Sequence, residues 1–196
     1  MKKLLLIIFT LSFLTNCQSI DQYEQEESRA IEDFANDFLT HYPKLAPSGP
    51  NYDSSTDTTN DHKMKVYISD ALLPIAQIKE DNEWMFDDNY FGTENSSIFR
   101  EIVTSRKFDE LEYREFDKEK IKLLQPFKQM PNSNTELKSG EQYSIISFSR
   151  VCFDEPKENG IVVIDYRIGS NVGTMGGYNM ALLIKKENGK WRYIPR

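Results

Sequence analysis

The sequence predicts an α+β fold, with an N-terminal amphipathic helix and short helices packed on a C-terminal antiparallel β-meander. Three observations carry this. Apolar residues between positions 26 and 42 recur with helical spacing, and the last third alternates β-rich runs with short turn signals. The composition, 39% hydrophobic with 12% aromatic, supports one packed core rather than disorder.

Ile31, Phe34, Ala35, Phe38, Leu39 and Tyr42 fall at i, i+3, i+4, i+7, i+8 and i+11, one stripe of a helix over 26–42. Glu26, Glu27, Glu32 and Asp33 favour its start electrostatically, and Pro43 ends it. Residues 43–62 hold three prolines among Ser, Thr, Asp and Asn and read as a flexible exposed loop. Met64, Val66 and Ile68 alternate with Lys65, Tyr67 and Ser69 as a short strand. Residues 72–92 are mixed, with Pro74 and Gly92 as breakers and Trp84, Phe86, Tyr90 and Phe91 as apolar bulk. Residues 98–105 look helical, started by Ser96 or Ser97. Asp117 caps a helical turn or two through Leu124, before Pro126. A second polar loop covers 130–141.

Runs at 143–153, 161–170, 178–185 and 191–194 are rich in β-branched and aromatic residues. Turn signals separate them at 154–160, at the glycine-rich 169–177 and at Glu187-Asn188-Gly189-Lys190. Asn188-Gly189 is the strongest hairpin signal, because both residues tolerate positive φ. Such short connections imply antiparallel neighbours. A helix on this sheet, with the closing strand Gly189-Lys190-Trp191-Arg192-Tyr193-Ile194, looks like the cystatin-like and NTF2-like α+β folds. Those folds host enzymes, binding proteins and inert scaffolds, so the resemblance implies architecture and not activity.

The head of the chain has a different character. Lys2 and Lys3 precede an 11-residue apolar run, Leu4 to Leu14, too short for a bilayer span of about 20 residues. This is the layout of a secretory signal. Leu14-Thr15-Asn16-Cys17 resembles the lipobox of bacterial lipoproteins, in which a peptidase cuts before a cysteine that then carries acyl chains. Asn16 stands where that motif usually has Gly, Ala or Ser. The resemblance implies a lipidated Cys17, a membrane partner held through its acyl chains, and a place in the cell envelope. Gln18, where an Asp would imply inner-membrane retention, points to an outer membrane. Residues 1–16 are then a signal peptide, 17–27 a lipidated cysteine with an acidic tether, and 28–196 a single domain.

Cleavage removes two lysines and no acids, taking the net charge from −7 to about −9. Nucleic-acid binding needs Lys/Arg clusters, and the densest run, Lys118-Glu119-Lys120-Ile121-Lys122, is interleaved with an acid. No nucleic-acid partner is expected. With Cys17 acylated, Cys152 is the remaining thiol, so no intramolecular disulfide forms. A catalytic thiol needs a base, and neither histidine, His41 or His62, lies in a cysteine-hydrolase motif. Cys152 reads as structural.

Asp87-Asp88-Asn89-Tyr90-Phe91-Gly92 places a glycine at position 6 of a calcium loop. Phe91 and Ile98 then fall where oxygen ligands are needed, so this is not an EF-hand. Two histidines and one thiol match no zinc spacing. No cofactor or metal is expected. The glycines of 169–177 lack the Lys-Ser/Thr and helix of a phosphate loop. That segment reads as a flexible hairpin connection and is the first choice for a functional one, since glycine lets a partner backbone approach. The expected role is non-catalytic binding or scaffolding, through a protein partner. One alternative is an NTF2-like pocket lined by Tyr and Trp between helix and sheet. Another is an immunity-type lipoprotein whose acidic face meets a basic toxin.

Overall fold

The computed structural model describes residues 22–38, 64–87, 90–123, 127–130, 142–170 and 173–194. Helix α1 covers 22–38. Strand β1 (Met64–Leu73) is followed by α2 (Ile75–Asp81), a 3-10 turn (Glu83–Phe86), α3 (Ser96–Val103) and α4 (Arg106–Glu110). Short β2 (Arg114–Glu115), a 3-10 turn (Lys118–Lys120) and β3 (Phe127–Gln129) lead to β4 (Gln142–Ser149) and β5 (Cys152–Phe153). The chain closes with β6 (Asn159–Ser170), β7 (Gly173–Glu187) and β8 (Lys190–Tyr193).

All these strands join one sheet, in the order β2-β1-β4-β6-β7-β8. β3 shares the outer edge of β1 with β2, and β5 continues the line of β4 along β6. The α+β expectation holds, and β6-β7-β8 is the antiparallel meander. The sheet as a whole is mixed, because β1 enters parallel to β4. A parallel pair needs a long crossover, which here contains α2, α3 and α4.

The sheet is covered on both faces. Ala30, Ile31, Phe34, Ala35 and Phe38 of α1 pack on Ile68, Ile146, Phe148, Val162, Ile164, Leu182, Ile184 and Trp191. On the other side Ile75, Met85, Phe99, Ile102 and Phe108 pack on Cys152, Ile161, Val163, Ala181 and Leu183. Successive residues of a strand face opposite ways, so the unbroken run Ile161-Val162-Val163-Ile164 serves both layers at once. The space between α1 and the sheet is filled by side chains, with Trp191 and Tyr166 buried in it.

Several boundaries differ from the sequence reading. Residues 22–27, expected as tether, are the opening turns of α1, and Glu27 is buried. Helix α2 was hidden by Pro74, which stands at its N-cap position, where no intrahelical donor is needed. Asp117 caps a single 3-10 turn, its carboxylate accepting from Glu119 N at 3.2 Å. The 143–153 run is two strands, broken at Arg150 and Val151. Leu39, Tyr42, the 43–62 loop and residues 131–141 lie outside the described residues.

The glycine-rich segment is also corrected. Apart from 171–172, outside the described residues, 169–177 is strand, and β6 and β7 pair from Asn159↔Lys185 to Ser170↔Gly173. A Cβ on Gly177 would lie 2.5 Å from the Tyr166 carbonyl oxygen, so close strand packing requires glycine there. The Asn188-Gly189 hairpin forms as expected, with φ of 52° and 77° between the paired Glu187 and Lys190.

Phe34 is fully buried and meets the Phe148 ring edge-on at 5.7 Å. Phe34→Ala should therefore cost about 3–5 kcal/mol in denaturant melts. A loss below about 1 kcal/mol would mean that the stripe does not anchor α1.

Candidate functional site

The apolar stripe of α1 extends one turn beyond its hydrophobic residues. Glu27 precedes Ile31 by four positions, so the helix carries its carboxylate into the core, where its exposure is 0%. It arrives at the break between β4 and β5. Val151 N donates to Glu27 Oε1 at 2.8 Å, and Arg150 Nε reaches both carboxylate oxygens at 2.8 and 3.1 Å. Arg114 donates to Oε2 from Nε at 3.0 Å and from Nη2 at 2.9 Å. The guanidinium groups are satisfied further: Arg150 Nη1 donates to Glu112 O at 2.7 Å, and Arg114 Nη2 to Ser28 Oγ at 3.2 Å.

Ser149 repairs the backbone at the same break. Its hydroxyl accepts from Val163 N at 2.8 Å and donates to Arg150 O at 2.7 Å. A buried ion cluster is tolerated when its charged groups are paired, and here both Glu27 oxygens are held by guanidinium and backbone donors. It clamps α1 onto the sheet.

Around this clamp lies a polar surface at the N-terminal end of α1. Tyr23 donates its hydroxyl to Val151 O at 2.5 Å and stands edge-on to Phe153 at 5.4 Å. Burial, then the charges of Cys152 and Glu27, push its phenol above the usual range. Lys107 Nζ lies 4.8 Å from the Tyr23 ring centre, and Lys157 Nζ lies 5.6 Å from it. An open cleft beside them is lined by Gln22, Gln25, Glu26, Arg29 and Lys157.

Glu26 is part of this cleft wall. Burial works against its charge, but hydrogen bonds from Lys186 Nζ at 2.6 Å and Trp191 Nε1 at 2.7 Å outweigh that and lower its pKa. A lowered folded pKa contributes stability that is present above the unfolded glutamate range and lost as pH falls through the folded value.

Cys152 is buried on the opposite face of the sheet. Burial pushes its thiol up to about 11, despite a Ser105 hydroxyl at 3.7 Å and the nearby Lys107. Such a thiol carries little thiolate near neutral pH. His41, His62 and Cys17 lie outside the described residues, as do Asp88 and Asn89 of the acidic loop. Among the described residues no group of three or more His, Cys, Asp or Glu converges in a way that could hold a metal. None of the described helices is long and apolar enough to cross a membrane.

Sequence reasoning missed the Glu27 clamp, because its partners are more than 80 residues away. The available signal was position: Glu24 and Glu27 continue the stripe, seven and four places before Ile31, while Glu26 does not. No protein family, curated protein or solved structure matches this chain.

Glu27→Ala should strand two guanidinium groups in the interior and cost about 3–5 kcal/mol in denaturant melts. The exposed Arg106–Glu110 pair on α4 is an internal control, and Arg106→Ala should change stability by no more than about 0.5 kcal/mol. Equal effects at the two sites would mean the clamp is not a clamp. Labelling of the Cys152 thiol should be slow in the native protein and fast in denaturant, and Cys152→Ala should preserve the fold. Rapid stoichiometric labelling of the native protein would bring a cysteine nucleophile back into consideration.

Proposed function

We propose that this chain is a bacterial envelope lipoprotein, held to its membrane by acyl chains on Cys17, whose α+β domain binds a protein partner and is not catalytic. The observation that carries the reading is the head of the sequence: Lys2-Lys3, the apolar run Leu4 to Leu14, and Leu14-Thr15-Asn16-Cys17. Each buried CH₂ of an acyl chain contributes about 0.8 kcal/mol, and stable anchoring takes more than one chain. Gln18 favours an outer membrane.

The folded part supports binding over catalysis in two ways. Its strongest polar cluster, around Glu27, is committed to holding α1 on the sheet, and the helix–sheet interface where an NTF2-like pocket would open is filled by Phe34, Tyr166 and Trp191. The resemblance of the sequence pattern to cystatin-like and NTF2-like folds would concern architecture and not activity.

Intact mass of membrane-extracted protein tests the anchor. The expected result is loss of residues 1–16 with a lipid-sized addition, both abolished by Cys17→Ser. A wild-type chain recovered unlipidated from the soluble periplasm would refute it. Capture of partners from solubilised envelope with the acylated protein then tests the binding role, and recovery of a turned-over small molecule in place of a protein would favour a pocket.

A further inference from the structure

We propose that the domain stands on its membrane by the N-terminal end of α1, with anionic headgroup phosphates against Arg29, Lys107 and Lys157 and the β6–β7 hairpin pointing away. This rests on the acylation of Cys17 proposed above. Gln22, where α1 begins, follows Cys17 by five positions, and five residues reach at most about 18 Å when fully extended. The headgroup layer of one leaflet takes roughly 5–7 Å of that reach. The start of α1 is therefore confined to within roughly 10 Å of the headgroups, close to one Debye length at physiological salt.

The surface at that end has the matching chemistry. Lys107 and Lys157 converge on the Tyr23 ring, and Arg29 and Lys157 share the open cleft with Gln22 and Gln25. Lys157 holds a left-handed backbone, with φ of 55°, which L residues other than Asn rarely adopt. Three of the acids alongside are engaged. Glu26 is paired with Lys186, Glu24 faces Arg114 at 3.9 Å, and Asp154 accepts from Asn159 and from the Glu158 amide. Glu155 and Glu158 beside Lys157, and Asp109 and Glu112 after Lys107, are exposed acids on the same segments, and Glu110 is paired with Arg106. Each basic side chain near an anionic surface strengthens adsorption about fivefold.

The position of the hairpin follows from registry along α1. Arg29 donates to Gly189 O, Asp33 accepts from Trp191 N, and Asp37 meets Arg192. Helix α1 thus runs alongside β8 from the β7–β8 turn onward, opposite in direction to β7. Glu26 is level with Lys186, and at about 3.3 Å per residue the Gly173 end of β7 lies roughly 40 Å further on. That distal stretch, Gly173 to Leu182, contains no charged residue and no proline. The clamp at Glu27 makes the arrangement rigid, because the first turns of α1 cannot swing relative to the sheet.

The test uses the acylated protein in vesicles of phosphatidylethanolamine and phosphatidylglycerol, with Cys152→Ala and one reporter cysteine per sample. Gln25→Cys places a dye in the cleft. Gly176→Cys places one on the distal arm, where a Cβ meets nothing within 4 Å. A quencher carried on lipid headgroups should remove most of the fluorescence at position 25 and leave most of it at position 176. The contrast should shrink in phosphatidylcholine vesicles and with Lys107→Glu plus Lys157→Glu, and by a smaller amount with the milder Lys107→Gln plus Lys157→Gln. Equal quenching at both positions, or stronger quenching at 176, overturns the orientation. A contrast unchanged by all these substitutions overturns the headgroup contact. Intact mass of the same samples separates these outcomes from failure of acylation, which would remove the premise and sink the proposal with it.

Discussion

The clamp formed by Glu27 with Arg150, Arg114 and the Val151 amide is the constraint from which the rest of the arrangement follows. An α-helix on a sheet can slide by a turn at modest cost, since apolar contacts are not directional. A carboxylate that must find two guanidinium groups and one backbone amide has a single acceptable position. The penalty for missing it is a buried unpaired charge, which is far larger than that of a misplaced leucine. Packing of Phe34 and Phe38 supplies adhesion, and Glu27 supplies register.

The clamp also explains the irregularity in the sheet. β4 and β5 form one line beside β6, yet the ladder is interrupted at Arg150 and Val151. The interruption frees Val151 N for Glu27 and directs Arg150 N to Leu73 O at 2.7 Å, tying off the end of β1. Ser149 Oγ fills the gap that the break leaves in the β6 ladder. A continuous strand would offer none of these donors to the helix, so the defect is what lets a polar group be buried here.

Much of this architecture was legible because local chemistry and tertiary context agree. The stripe Ile31, Phe34, Ala35 and Phe38 became the core face of α1, and Asn188-Gly189 became a two-residue turn. Failures came where one residue type serves two ends. Glycines at 176 and 177 suggested a loop, but Gly177 is a strand position where another backbone approaches too closely for a Cβ. Pro74 suggested a break and instead stands at the entry to a helix. Glu26 and Glu27 look alike in sequence, and one turned outward to Lys186 while the other was buried against Arg150 and the Val151 amide. The parallel β1–β4 pair could not be read locally, since its partners are separated by the whole helical crossover.

The same geometry links the fold to the proposed anchor. In a lipoprotein held at Cys17, any force on the tether enters the domain at Gln22 and passes down α1. Glu27 follows Cys17 by ten positions, and it is the first fully buried residue on that path. A helix held there only by apolar packing would peel from its N-terminal end, where contacts are fewest and the backbone donors of the first turn are unsatisfied. Placing charge-assisted bonds within two turns of the start stiffens the end that needs it. It also locks Trp191 and β8 to α1 through Glu26 and Asp33, so the edge of the sheet and the mount move together. An immobile mount is what turns a short tether into a defined orientation, and without it a distal strand would sweep all directions and gain nothing from its reach.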